Sequence, residues 1–470
     1  MSRSSAAGAA PGGGSFLVQA LEYIPDLAQL HRFRPERYPH LLESAADGTP
    51  QARYDILFAF PRSTLSLAAD QRVSLDGREV GGDFLANLGR LWRAESVVRE
   101  QACAETPFRG GWFLYLGYEL TRNIEPALAS LPVEPGLPVA FATRFDAAVV
   151  HDRAASRAYL VAEAGHAASD RLAAMSGDVS DCVPSAEAKI EVLAVREEDP
   201  ALYLDRIGRT LGYIAAGDTF QVNLSRGWEV ELRDEPQPVD LYRSLRQANP
   251  APFAGLASLG AGQAVLSSSP ERLVCVRGDR VSTRPIAGTY PRGGDPDEDQ
   301  ALARALHRDP KERAEHVMLI DLERNDLGRI CRPGTIRVHE RMQVETYRHV
   351  HHLVSSVEGI LRAETSPADV IRALFPGGTI TGCPKVRTQE IIAELEQTAR
   401  GPYTGSMGYL NRDGSMDLNI LIRTLVQQGR HIRLRAGGGI VADSQPHREL
   451  RETCAKARGL LAAFGADAIR

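Results

Sequence analysis

Over residues 16 to 165 apolar positions come in short runs, many alternating with polar ones, separated by turn-forming residues: FLVQAL, YDILFAF, FRGGWFLYLGYEL, VAFATRFDAAVVHD and RAYLVAEA. A period of two reads as strand, so this stretch predicts an amino-terminal β-rich subdomain. Residues 164 to 190 are rich in Ala, Ser and Asp with weak periodicity, which predicts a linker, bounded here as 166–195. The pattern then changes to helical spacing: apolar residues at 202, 207, 211 and 214 predict a helix over 199–218, followed by a strand at TFQVNLSRGWEV. Hairpins are expected around Gly278–Asp279, Asp413–Gly414 and Gln428–Gly429, and helices over 298–328, 366–374, 384–397 and 446–464. Hairpins with interleaved helices predict an α+β fold: two large antiparallel β-sheets packed as a sandwich with helices outside, the second subdomain spanning 196–466.

The composition adds boundaries to this picture. The 470 residues are 43% apolar, enough for a sizeable core, and 55 basic against 60 acidic residues give a net charge of −5. That balance offers no general attraction to nucleic acid or anionic lipid, so any anionic ligand must be bound by local design. The six cysteines (Cys103, Cys182, Cys275, Cys331, Cys383, Cys454) form no CxxC pair and no zinc spacing. Residues 1–15, MSRSSAAGAAPGGGS, read as a disordered start without the apolar run of a signal peptide, and no later stretch has the length of a membrane span. A cytoplasmic protein is expected.

Four stretches carry candidate chemistry. RPIAGTYPRGG (284–294) combines fixed prolines, permissive glycines and two arginines, which makes either an anion cradle or a surface turn. Glu312 and Glu315 are three apart on one predicted helix, and Glu449 and Glu452 three apart on another, with Lys456 one turn on. Two such pairs facing each other suit a hard cation; singly, each is an ordinary solvated helix face. AGGGIVADSQ (436–445) offers consecutive bare amides for a carboxylate, and FPGGTITGCPK (375–385) leads into a helix where amides and Lys385 could meet an anion. Neither GxGxxG nor a P-loop is present. In RHVHHLVS, the histidines His349, His351 and His352 lack matching metal ligands nearby, so a buried structural role is the default.

Taken together the motifs SPERLV (269–274), RPIAGT (284–289), EHVMLIDLERNDLG (315–328), VHHLVS (350–355), FPGGTITGCPK, MDLNILIRT (416–424) and AGGGIVADS (436–444) resemble the chorismate-utilising enzymes, over roughly 200–466. These comprise component I of anthranilate synthase and of aminodeoxychorismate synthase, and the isochorismate and salicylate synthases. LLES (41–44) resembles the family's tryptophan-pocket motif, with Ser44 as the residue that contacts tryptophan. The resemblance implies Mg2+-dependent ring chemistry on chorismate. It implies Glu315 and Glu452 as direct magnesium ligands, with Glu312 and Glu449 around them. Tyr403, Arg423, Lys456, Thr379 and the amides of Gly438 and Gly439 would hold the substrate, and Thr289 would stand with Ala287 in the loop at the reacting atoms. Glu271 would be the general acid for the departing hydroxyl, its pKa raised by burial, and His352 would lie near the leaving oxygen.

Two positions bear on the nucleophile. Gln221 stands where the water-using relatives carry lysine, which implies ammonia, supplied by a separate glutamine amidotransferase subunit because these residues show no glutaminase segment. Ala287 stands where well-known aminodeoxychorismate synthases have a lysine that attacks the ring, which points toward anthranilate synthase. QVNLS, FPGGTITG and AGGGIVADSQ resemble the aminodeoxychorismate branch instead. The expectation is aminodeoxychorismate synthase component I, aminating chorismate to 4-amino-4-deoxychorismate, with anthranilate synthase component I as the alternative.

Overall fold

The computed structural model describes residues 16–46, 51–98, 106–185, 188–346 and 350–465, so the expected disordered start at 1–15, Cys103 and His349 lie outside the described residues. Its spine is a pair of long antiparallel strands, Tyr54–Leu67 and Ala140–Asp152, whose register shifts between Pro61 and Thr64. A shift of this kind bends a ladder, and here each half of the pair serves a different sheet. From one half the ladder runs through His40–Glu43, Phe253–Gly260, Gln263–Ser269, Thr424–Gln428 and His431–Ile440 to Gln221–Leu232. From the other it runs through Gly111–Leu116, Ser406–Asn411, Met416–Asn419, Arg272–Arg277 and Arg280–Thr283 to Val350–Ile360. Strands from the first 165 residues therefore share sheets with strands from the second half of the chain.

The apolar run YDILFAF shows how the layers stack. Ile56 and Phe58 join a core built from strand residues of both sheets, including Phe113, Phe145, Val265 and Tyr409, together with Phe108 from the turn before one of them. Leu57 and Ala59, on the opposite face, join a core shared with helices, including Leu30, Met175, Leu245 and Leu460. A strand covered on both faces loses polar alternation, which is why this one reads as continuous hydrophobicity. Phe58 meets Phe113 edge-on at 5.3 Å, and burying each such ring contributes on the order of 2–3 kcal/mol. The result is the expected α+β sandwich with helices outside.

Local structure departs from the sequence reading in four places. Residues 168–181, inside the expected linker, form a helix whose Leu172, Met175 and Val179 pack into the core; three large residues among Ala, Ser and Asp gave too faint a period to read. The helix expected over 298–328 is two, Pro296–Arg308 and Pro310–Gly328. Pro310 forces Asp309 out of helical conformation, and the Asp309 carboxylate caps the next helix through the amides of Lys311 (2.8 Å) and Glu312 (3.2 Å). In the helix Pro200–Ala215 the buried residues are Tyr203, Ile207 and Thr210, while Leu202 is 51% exposed. Part of the glycine-rich stretch 284–294 is a strand, Ile286–Pro291, paired with Val350–Ile360. Among the described residues no helix is long and apolar enough to cross a membrane.

Candidate active site

A cavity of about 480 Å3, within the size range of small-molecule sites, lies where the strands Gln221–Leu232, Ile286–Pro291 and His431–Ile440 meet the amino-terminal turns of the helices Pro310–Gly328 and Pro446–Leu461. It collects nearly every residue singled out from the sequence: Gln221, Glu271, Ala287, Glu312, Glu315, His352, Thr379, Tyr403, Arg423, Gly438, Gly439, Glu449, Glu452 and Lys456. The backbone of Thr289 pairs with His352, and its side chain lies outside the described residues.

The glycine run is needed for close approach. Asn223 lies opposite Gly439 and Leu224 opposite Gly438 across the ladder. A Cβ on Gly437 would sit 2.3 Å from the Leu224 carbonyl oxygen, so only bare backbone fits there, and one on Gly439 would sit 2.2 Å from Gln221 Nε2 and displace that side chain. Over these glycines the two helices bring their carboxylates together. Measured from the same Cβ position, Glu452 Oε1 and Glu449 Oε2 lie 3.6 and 3.7 Å from Gly438, and Glu315 Oε1 lies 3.3 Å from Gly439. Gln221 Nε2 donates to Glu315 Oε1 at 3.1 Å, and Lys456 Nζ bridges Glu452 Oε1 (2.6 Å) to the Gly437 carbonyl (2.8 Å).

Crowding acidic groups under partial burial has a measurable consequence. Burial first, then the neighbouring Glu312, push Glu315 up to about 7; burial also raises Glu312 and Glu449. Glu452 goes the other way: burial is the largest single influence and would raise it, but Lys456, with Arg448 and Lys311, together hold it below its ordinary value. Among the described residues no group of three or more His, Cys, Asp or Glu is already drawn to ligand distances. Magnesium takes one or two protein carboxylates and completes its shell with water and an anionic ligand, so hard oxygen donors whose repulsion is unrelieved fit that ion. Because the folded value of Glu315 lies above its unfolded value near 4.5, its contribution to stability is full below pH 4.5 and is lost as pH rises through 7. Glu315→Gln removes that loss: without divalent ions the variant should be more stable than the parent at pH 8 by about 1–3 kcal/mol, with the two equal near pH 4. Added Mg2+ should stabilise the parent at pH 8 and leave the variant nearly unmoved, read by denaturant titration.

Glu271 is 5% exposed, and burial, helped by the charge of Glu323, raises its carboxyl to about 7; Thr379, the Ile286 amide and Lys456 oppose the rise. A carboxyl at that value carries its proton through much of the neutral range. His352 is held well below its ordinary value, at about 4, chiefly by burial and further by Arg423 and Lys456, so its ring is neutral. Its Nδ1 lies 3.3 Å from the Gly288 carbonyl, which can only accept, so Nδ1 carries the proton and Nε2 the lone pair. The histidine expected near the leaving oxygen is thus a neutral ring with an accepting Nε2. Arg423 is half-buried with φ at 54°, a backbone conformation uncommon for a bulky residue, and it lines the cavity wall.

Other sequence candidates do not reach the cavity. Arg284 pairs with Glu340 and Glu345, Arg292 with Asp299 at 2.7 Å, and Lys385 with Asp326, so none of the three forms the anion cradle considered for its stretch. His351 is buried between Thr346 and Asp299, each at 2.9 Å, in the structural role assigned by default. Ser44 lines a second cavity of about 330 Å3 with Tyr54, Arg272, Met407, Tyr409 and Asp417. Its amide donates to Asp55 at 2.8 Å and its hydroxyl to the Tyr54 carbonyl at 3.0 Å. Sequence reasoning missed Asn223, Lys311, Arg435 and Arg448 in the main cavity. Asn223 was legible as the strand neighbour of Gln221 at period two, and Lys311 as one turn before Glu315.

The description "chorismate binding enzyme" fits residues 44–462 as a protein family. Anthranilate synthase component 1 of Streptomyces coelicolor is 40% identical over 466 residues, covering 95% of this chain and 87% of that protein. Anthranilate synthase component 1 of Thermus thermophilus is 42% identical over 432 residues, covering 90% and 91%. The crystal structure of anthranilate synthase component I from Streptococcus pneumoniae superposes with a TM-score of 0.78 at 31% identity, covering 88% of this chain and 93% of that one. These relatives overturn the expectation of an aminodeoxychorismate synthase. The motifs that suggested it, QVNLS, FPGGTITG and AGGGIVADSQ, line the same cavity as Ala287, through Gln221, Asn223, Thr379, Ile380, Gly437, Gly438 and Gly439.

Proposed function

Because the chain belongs to the family of chorismate binding enzymes, we propose that it is the synthase subunit of an anthranilate synthase, converting chorismate and ammonia to anthranilate, pyruvate and water. The observation that carries this reading is Ala287, a methyl group in the wall of the cavity that also holds the buried, protonated Glu271. A small side chain leaves room for ammonia to reach C2 directly.

The residues divide the work by charge. Arg423, Lys456, Tyr403 and the amides of Gly438 and Gly439 hold the substrate carboxylates, the arginine through its planar fork. Glu315 and Glu452, with Glu312 and Glu449 around them, would hold Mg2+, which when bound neutralises the ring carboxylate and draws charge from the diene. Glu271 passes its proton to the C4 hydroxyl, which leaves as water as the C2–N bond forms. The C2 hydrogen is then transferred to the methylene carbon of the enolpyruvyl group, whose ether bond breaks to release pyruvate and leave an aromatic ring. Gln221 is neutral and donates to Glu315, so it is no base; ammonia needs none. The ammonia comes from a separate glutamine amidotransferase subunit.

Purified protein given chorismate, Mg2+ and an ammonium salt at alkaline pH should yield fluorescent anthranilate without any added enzyme. Formation of 4-aminobenzoate, and only after an aminodeoxychorismate lyase is added, would sink the reading. The Ser44 cavity is read as a tryptophan site. Calorimetry should show tryptophan binding that Ser44→Phe abolishes with chorismate turnover intact; binding that survives the substitution would place tryptophan elsewhere.

A further inference from the structure

The motif LERNDLG contributes two buried acids that the chemistry above does not use. Glu323 is 7% exposed and Asp326 is 3% exposed, on the same helix that carries Glu315 one end away. Asp326 pairs with Lys385, whereas Glu323 has no ion-pair partner among the described residues. A buried acid kept without a cation calls for an explanation.

The surroundings of Glu323 lead to Glu271. The Thr283 hydroxyl and the Gly378 amide face Glu323, and the Thr379 hydroxyl and the Ile286 amide face Glu271. The same two chain segments, 283–286 and 378–379, therefore bracket both carboxyls. A Cβ on Gly378 would sit 3.3 Å from Glu323 Oε1 and 2.5 Å from Leu322, so a bare residue is what lets the segments close on each other. Within this enclosure Glu271 Oε1, Thr283 Oγ1 and Thr379 Oγ1 all lack a hydrogen-bond partner at bonding distance, and Thr283 is 1% exposed. Threonine hydroxyls both donate and accept and can turn about their bond, and buried polar atoms left without partners are the groups that a bridging water satisfies.

We propose that Glu323 is the proton store that recharges Glu271 between turnovers, through the hydroxyls of Thr283 and Thr379 and bridging water. The proposal rests on Glu271 as the acid for the departing hydroxyl. In each cycle Glu271 gives one proton to the hydroxyl and becomes a carboxylate; protonated Glu323 passes one proton to it and becomes a carboxylate in turn. The ammonium first formed at C2 loses one proton to solvent, and Glu323 takes one back from solvent, so turnover is proton-neutral. Both carboxyls are raised to about 7, burial being the first cause in each case. Facing Glu323 are Asp326, Lys385, Thr283 and the Gly378 amide; facing Glu271 are Glu323, Lys456, Thr379 and the Ile286 amide.

Glu323→Gln keeps the shape and removes the exchangeable proton. In stopped-flow fluorescence at pH 5.5, where Glu271 still carries its proton in parent and variant alike, it should give a burst of one product per site at the parental rate, then a steady state roughly tenfold slower. Loss of the neighbouring charge should also move the basic limb of its kcat profile to lower pH by about one unit. Glu323→Asp should restore the steady state in part. Thr283→Val, which leaves both carboxyls in place, should show the same burst. An equal loss of rate at every pH without a burst would make Glu323 a structural residue only, and an unaltered profile in Glu323→Gln and Thr283→Val would remove it from the reaction. Product identity tests the anthranilate reading separately, since burst and profile can be followed on whichever product forms.

Discussion

Glu271→Gln should lower kcat for anthranilate formation by roughly 10^2–10^4 while leaving the KM for chorismate within about threefold. On the function proposed above, the labour in the cavity is divided: Arg423, Lys456 and the glycine amides, which line it, would hold the substrate, and Glu271 would supply only the proton for the C4 hydroxyl. Glutamine keeps the shape and cannot ionise, so binding survives and proton transfer does not. The parental kcat should fall as pH rises through about 7, where the Glu271 carboxyl ionises, and the residual rate of the variant should be flat through that range. Stability should move the opposite way to activity. The folded value of Glu271 lies above the unfolded value near 4.5, so the parent is fully stabilised below pH 4.5 and loses that contribution as pH rises through 7. At pH 8 the glutamine variant should therefore be the more stable protein, by about 3 kcal/mol in denaturant titration. A variant that is both inactive and destabilised at pH 8 would contradict a buried acid poised for proton transfer.

What could be read from the sequence follows the range of the interaction that fixes each feature. Strands and helices set by local patterning were legible, as in Gln221–Leu232 and Pro446–Leu461. The glutamate pairs were legible because three-residue spacing puts both acids on one helix face. That the two pairs meet was not, since it depends on strands 200 residues apart lying side by side, Gln221–Leu232 against His431–Ile440. The helix at 168–181 escaped because small residues carry little hydrophobic signal, and the break at Pro310 because helical propensity on both sides masked it. The sharing of sheets between the two halves of the chain is likewise a long-range fact. The branch within the family was misjudged for a related reason: motif likeness averages over many wall positions, and on the function proposed above one of them, Ala287, carries far more weight.

Ala287→Lys tests that weight. The position is 6% exposed and shares its cavity with Arg423 and Lys456, so desolvation and like charge would both lower the pKa of an introduced amine and leave part of it neutral and nucleophilic. Such an amine would occupy the space through which ammonia approaches C2, and it would do so tethered, at a high effective concentration. Ammonia-dependent anthranilate formation should drop by at least about 10^2, and intact mass spectrometry after incubation with chorismate and Mg2+ should show one adduct with the mass of chorismate less water. Ala287→Val serves as the control for volume: it narrows the cavity without a nucleophile, so it should slow turnover and form no adduct. An Ala287→Lys enzyme that still makes anthranilate at the parental rate would mean that position 287 does not face C2. The small residue would then have nothing to do with the choice of nucleophile, and that choice would have to be sought on the opposite wall, at Gln221 and Asn223.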